Sequence, residues 1–226
     1  MDERLTARNI LIESWALARR SWLFGLGWLT ALIACGTAID AMGLDQRTNV
    51  FFSLLSVFGQ FAVTSAALRT AGLHHAWAKP GRAASFVGAG LLTGIAIMAG
   101  FFALVLPAVF LYARWVIVQP LIVGEGRTMG EAMAESWRRT APSTQMIMIA
   151  VASALAPMVG GLLLLVFATP YSGPVPLGLA LASNLLICGS LIMTWYLAVA
   201  VHYLLEAHRS TAEAPDPDIG PVGNAA

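Results

Sequence analysis

Charge is what this sequence has least of. Only 11% of its 226 residues are Asp, Glu, Lys or Arg, against about 25% in an ordinary soluble domain. With 58% of residues hydrophobic, a soluble core cannot absorb the chain, and long, nearly uncharged runs read as transmembrane helices. A net charge of +1 leaves no dense basic face of the kind that neutralises phosphates, which argues against a nucleic-acid partner. Cysteine is scarce as well. Cys35 and Cys188 both lie inside apolar runs and read as small packing residues rather than a disulfide or metal pair. The chain carries no Ser-His-Asp set, metal-ligand cluster or phosphate loop, so no catalytic residue, cofactor or metal is expected.

What is present is a succession of apolar runs separated by short polar segments. Residues 3–20 carry four arginines, with Leu11, Trp15, Ala18 and Trp22 spaced to share one helix face. This predicts an amphipathic helix on the membrane surface, where Trp15, Arg19 and Arg20 meet anionic head groups, or one packed on the protein's own cytoplasmic side. A first span, 21–39, ends at Asp40. Arg19-Arg20 before it and Leu32-Ile33-Ala34-Cys35 within it resemble a twin-arginine signal and a lipoprotein box, but such short matches arise often in apolar sequence, and no cleavage is expected. A second span, 50–68, is followed by a loop whose adjacent His74 and His75 point to different sides of any helix and so read as solvated rather than ligating. A third, 86–106, contains Gly90 and Gly94 at GxxxG spacing, with Gly100 beyond. This small-residue stripe suits close helix packing within the bundle or across a dimer.

The prolines decide how the next stretch is divided. Pro107 is comfortable in the first turn of a new helix, so a fourth span is predicted over 108–123, kinked at Pro120. It is short for a crossing, and a tilted or re-entrant course is the alternative. Six spans place Arg4, Arg8, Arg19, Arg20, Arg69, Lys79, Arg82, Arg127, Arg138, Arg139 and Arg209 on the cytoplasmic side and only Arg47 outside, as the positive-inside rule prefers. Arg114 then falls inside the fourth span. An arginine at mid-bilayer costs about 2.5–3.5 kcal/mol on insertion scales, so it needs a reason to be there. It holds a lipid phosphate, pairs with Asp40, or snorkels beside Tyr112 and Trp115.

Thr128 followed by Glu131 is a capping-box pattern that opens a second interfacial helix, 128–140. Met129, Met133 and Trp137 share one face, while Glu131, Glu135, Arg138 and Arg139 remain in water. Glu13-Ser14-Trp15 and Glu135-Ser136-Trp137 are identical tripeptides, each followed by an arginine pair and a span, which hints at a parallel internal repeat. The fifth and sixth spans are 145–168, with Pro157 a kink and Gly160-Gly161 a close-packing or hinge point, and 177–205, with Asn184 and Thr194 available for interhelical hydrogen bonds. His202 reads as packed. Residues 210–226 are expected to be disordered. The fold class is therefore an all-α integral membrane protein, a single polytopic domain over 1–209.

Leu106-Pro107, Arg114-Trp115, Pro120, Glu125-Gly126, Glu131-Ala132 and Ser136-Trp137-Arg138 together resemble the membrane domain of glycerophosphoryl diester phosphodiesterases and related bacterial inner-membrane proteins. The resemblance implies a helical bundle of about six spans, sometimes fused to a catalytic barrel. No segment here is long enough for that barrel, so the enzymatic activity is not expected to carry over. Three classes of function remain. A lipid-interacting or scaffolding protein of the bacterial inner membrane, with both termini cytoplasmic, fits the surface helices and Arg114. Its partners would be membrane lipids, a second copy or another membrane protein. A transporter fits the kinked helices, although acids suited to ion coupling are nearly absent from the spans. A lipid-acting enzyme lacks a site.

Overall fold

The computed structural model describes residues 5–43, 46–73, 82–103, 105–168 and 175–213, and every regular element among them is helical. Helix α1 (Ala7–Arg20) begins where Thr6 accepts a hydrogen bond from the Asn9 amide at 3.2 Å, satisfying one of the donors a helix start leaves free. Helices α2 (Trp22–Met42) and α3 (Gln46–Thr70) are long and apolar. Helix α4 (Arg82–Ala103) and α5 (Val105–Trp115) pack together as a hairpin with Pro107 in the first turn of α5.

The predicted kink at Pro120 takes the form of a full interruption. Pro120 has no N–H to offer the carbonyl four residues earlier, and the helix breaks at Val116-Ile117. It resumes as the single turn α6 (Val118–Pro120) and closes as a π turn over Leu121–Glu125. Irregular backbone of this kind survives at membrane depth only where protein surrounds it. Here Val116, Ile117, Val118, Leu121, Ile122 and Val123 are all buried.

The capping box forms: Glu131 accepts from the Thr128 amide at 2.9 Å, and α7 (Met129–Thr140) follows. A 3₁₀ turn over Ala141–Ser143 leads into α8 (Thr144–Ala168), which packs along α9 (Leu177–Glu213). Helix α9 runs on past residue 210, where disorder was expected to begin. The remainder of that tail, like His74 and His75, lies outside the described residues.

Five described segments are long and apolar enough to cross a membrane: Trp22–Met42, Val50–Thr70, Leu106–Glu125, Met129–Ala168 and Leu177–Ser210. The described apolar part of α4, Ala83–Ile97, is shorter. The chain is thus an all-α, multi-pass membrane protein. In Met129–Ala168 the crossing belongs to α8, because α7 carries two acids and two arginines. Large apolar side chains such as Phe51, Phe58, Leu91, Val166 and Phe167 point outward, as the inverted solvent of a bilayer permits.

Of the glycines expected to pack closely, Gly161 does so, whereas Gly90 and Gly94 do not bring another helix against α4. A methyl added to Gly161 would sit 2.8 Å from the Ser183 carbonyl oxygen, so α8 and α9 touch there nearly backbone to backbone. Gly25 and Gly36 of α2 similarly accommodate Tyr196 and Asn184 of α9. By contrast, a methyl on Gly94 would meet nothing within 4 Å, and one on Gly90 only the Gln119 amide at 3.5 Å. Of the GxxxG pair on α4, Gly90 faces Gln119 of the interrupted segment and Gly94 faces open space. The surroundings of Gly100 lie outside the described residues.

Candidate functional site

Arg114 and Asp40, paired as one option from sequence, are not brought together. Asp40 accepts a hydrogen bond from Asn184 Nδ2 at 2.6 Å near the start of α9, and its carbonyl accepts from the Val175 amide at 3.3 Å. Arg114 lies by α7. Its Nη1 donates to Thr144 Oγ1 at 3.1 Å, and its guanidinium sits 4.2 Å from the centre of the Trp137 ring. That cation–π contact gains strength from burial, and Arg114 is only 7% exposed. Its backbone carbonyl, in the last turn of α5, accepts the hydroxyls of Ser136 at 2.8 Å and Thr140 at 3.1 Å. The interruption after α5 thus supplies the acceptor on which α7 docks. The face of α7 that is buried is Ala132, Ser136 and Thr140; Trp137 remains 40% exposed.

The two copies of Glu-Ser-Trp behave alike in burial but not in partners. Ser14 and Ser136 are both fully buried while Trp15 and Trp137 are exposed. Ser14 donates within its own helix to Ile10, whereas Ser136 reaches α5.

Arg139 departs from its expected place in water. Its side chain is 9% exposed, with Nη1 on Glu125 at 2.9 Å, Nε on Glu135, and a further ion pair to Glu206 of α9. Arg127 also reaches Glu125, at 2.6 Å. Glu135 lies on the polar helix α7, outside the bilayer-crossing segments. Hydrogen bonds from Arg138 and then Arg139 hold its carboxyl down at about 2. Arg138, 68% exposed, is the member that does face solvent. Glu125, His202 and Glu206 bring ligand-type atoms within 4.8 Å of one another, but Arg139 already supplies the positive charge these carboxylates need. This network ties α7, the π turn and the end of α9 together. Sequence reasoning missed it because residues 67 positions apart meet in it.

Two cavities flank α9. One is a groove of about 630 Å³ between α1, α2, α8 and α9. Leu11, Trp15, Ala18 and Trp22, the face assigned to α1 from sequence, line it together with Arg19, and Leu26, Leu29, Leu185, Gly189 and Ile192 continue its apolar wall. The other side of α1, Ile10, Ser14 and Leu17, is fully buried on the bundle, and Ser21 shares a 2.9 Å hydrogen bond with Tyr196 of α9. Helix α1 is therefore docked on the bundle, with its second face turned to the groove.

No family model, curated protein or solved structure matches the chain. The resemblance over Leu106–Arg138 accordingly assigns no family. Function has to be argued from the cavities and the groups around them.

The second cavity, of about 220 Å³, lies among α3, α4, the interrupted α5–α6 segment and the opposite face of α9. Ser56, Gln60 and Thr64 follow one another at intervals of four along α3, and Thr93, Gln119 and Thr194 complete the polar lining. This arrangement was also missed from sequence. The signal was available, since three polar residues on one face of an otherwise apolar span mark an interior or cavity-facing surface.

Proposed function

We propose that the protein is a non-catalytic, lipid-interacting component of the bacterial cytoplasmic membrane, and that the groove between α1, α2, α8 and α9 receives a single phospholipid. The observation that carries this reading is the groove's composition. Its walls are aliphatic and aromatic, suited to acyl chains, while Trp15, Trp22 and Arg19 gather where α1 turns into α2. Indole rings favour the head-group level of a bilayer, and Arg19 offers a planar donor set for a phosphate. The distribution of arginines supports an orientation with α1, α7 and both termini on the cytoplasmic side, with α4 as a sixth crossing.

Native mass spectrometry of protein extracted in mild detergent tests the proposal. Wild type is expected to keep about one phospholipid per chain. Gly189→Trp, whose side chain enters the groove where nothing now lies within 4 Å, is expected to lose it. Arg19→Ala is expected to reduce the share of anionic lipid. A folded Gly189→Trp variant that retains as much lipid as wild type would overturn the assignment.

A second reading, passage of a small solute, is favoured by one observation. The interrupted α5–α6 backbone lies against uncharged polar side chains, as in transporters whose broken helices form the binding site.

A further inference from the structure

The cavity on the α3–α4 side of α9 carries an inference that does not rest on the lipid reading, because it uses the opposite face of α9. Leu185, Gly189, Met193 and Tyr196 line the groove, whereas Leu191, Thr194, Trp195 and Ala198 line this cavity. Its lining contains hydroxyls from Ser56, Thr64, Thr93, Thr194 and Tyr112 and amides from Gln60 and Gln119. Among the described residues that line it, none carries a charge at neutral pH. Polar side chains inside a membrane protein are costly unless they are paired or serve a pathway or site.

Gln119 is the group that points to a ligand. Its Nε2 donates to the Phe86 carbonyl at 3.4 Å, a long bond that ties the interrupted segment to α4. Its Oε1 is buried and has no hydrogen-bond partner among the described residues. An acceptor in that state calls for a donor, and none is supplied among the described residues. Gln119 occupies the single-turn segment between the helix break and the π turn, where a chain that must leave regular helix at membrane depth is held in place by its surroundings.

The glycines of α4 keep the space open. Gly90 and Gly94 both line the cavity. A methyl at Gly94 would meet no atom within 4 Å, and one at Gly90 would meet the Gln119 amide at 3.5 Å. Side chains at these two positions would occupy the cavity or press on Gln119. The volume of about 220 Å³ exceeds what one water takes, about 30 Å³ in the liquid, by enough for a solute of several heavy atoms.

We propose that this cavity binds a small uncharged solute bearing several hydroxyl groups, of the size of a three- or four-carbon polyol. A lining of hydroxyls and amides matches such a molecule donor for acceptor, and Gln119 Oε1 receives one of its hydroxyls. A carboxylate, phosphate or ammonium would lose its hydration without a counter-charge in the lining and is rejected.

Saturation-transfer difference NMR on the full-length protein in detergent tests this, with glycerol and erythritol as probes and lactate and choline as charged compounds of similar size. Wild type is expected to give a saturable signal from both polyols and none from the charged compounds. Gly94→Leu, which fills the cavity, is expected to reduce the polyol signal at least fivefold, and Gln119→Leu at least threefold. Circular dichroism and the melting temperature establish that each variant is folded. If one variant does not fold, the other still reads the site. Equal polyol signals from wild type and a folded variant, or a comparable signal from lactate or choline, would overturn the proposal. So would the lack of saturable polyol binding in wild type, which would leave the cavity to water alone.

Discussion

The two neighbouring arginines of α7 have opposite fates. Arg138 is 68% exposed and pairs with Glu135 in solvent, while Arg139, 9% exposed, holds Glu125, Glu135 and Glu206 together. An exposed pair contributes about 0–1 kcal/mol. Removing the cation from a largely buried group of carboxylates strands their charge, at about 3–5 kcal/mol for a fully buried pair. Arg139→Gln is therefore expected to lower stability by roughly 3 kcal/mol, allowing for the partial exposure of Glu125 and Glu206, and Arg138→Gln to lower it much less. Unfolding of both variants in mixed micelles by titration with a denaturing detergent reads the difference. Equal losses would show that Arg139 is not the joint. Arg114, with its cation–π contact to Trp137 and hydrogen bond to Thr144, is held by the protein itself, which is why its presence in an apolar span is tolerated.

At the scale of elements, glycine has two uses in this bundle. Gly161 brings α8 against the carbonyl of Ser183 at a distance no side chain can share, and Gly94 leaves an open space. Gly161→Ala forces the two longest-packed helices apart and is expected to cost about 1–3 kcal/mol, as overpacking does. Gly94→Ala adds helix propensity without a clash and is expected to be neutral or stabilising by up to about 1 kcal/mol. Melting temperatures of the two alanine variants, measured side by side, should move in different directions or by clearly different amounts. A larger loss at Gly94 would mean that α4 uses its GxxxG stripe for packing after all. The motif was legible in the sequence, but spacing says only that small residues share a face, not whether that face meets a helix or a void.

At the scale of the whole molecule, the π turn is the meeting point. Gly124 lies under Leu68 and the Leu73 carbonyl at the end of α3, and Glu125 reaches α7 through Arg139, which also holds the end of α9. The ends of α3, of the α5–α6 segment and of α9 therefore gather at one pole of the bundle. On the proposed orientation, with α4 as a sixth crossing, residues near both termini would lie on the cytoplasmic side. Single cysteines at Thr6 and Ser210, in a chain with Cys35 and Cys188 replaced by serine, are expected to react with a membrane-impermeant maleimide only after cells are lysed. Labelling of either position in intact spheroplasts would reverse or break this topology.

Composition and hydropathy alone determined that the chain is helical and crosses a membrane several times, because in a bilayer every backbone group must be satisfied within its own segment. They also located α1 and α7, since capping and 3.6-residue periodicity are local properties. Pro120 announced a disturbance, and only the surrounding burial decided that it would become a break with a π turn. Tertiary structure alone chose Asn184 for Asp40, Thr144 and Trp137 for Arg114, and Glu206 for Arg139. Periodicity tells which way a side chain faces along its own helix. The neighbour it finds there depends on how distant helices cross, and that is set by the packing of the entire bundle.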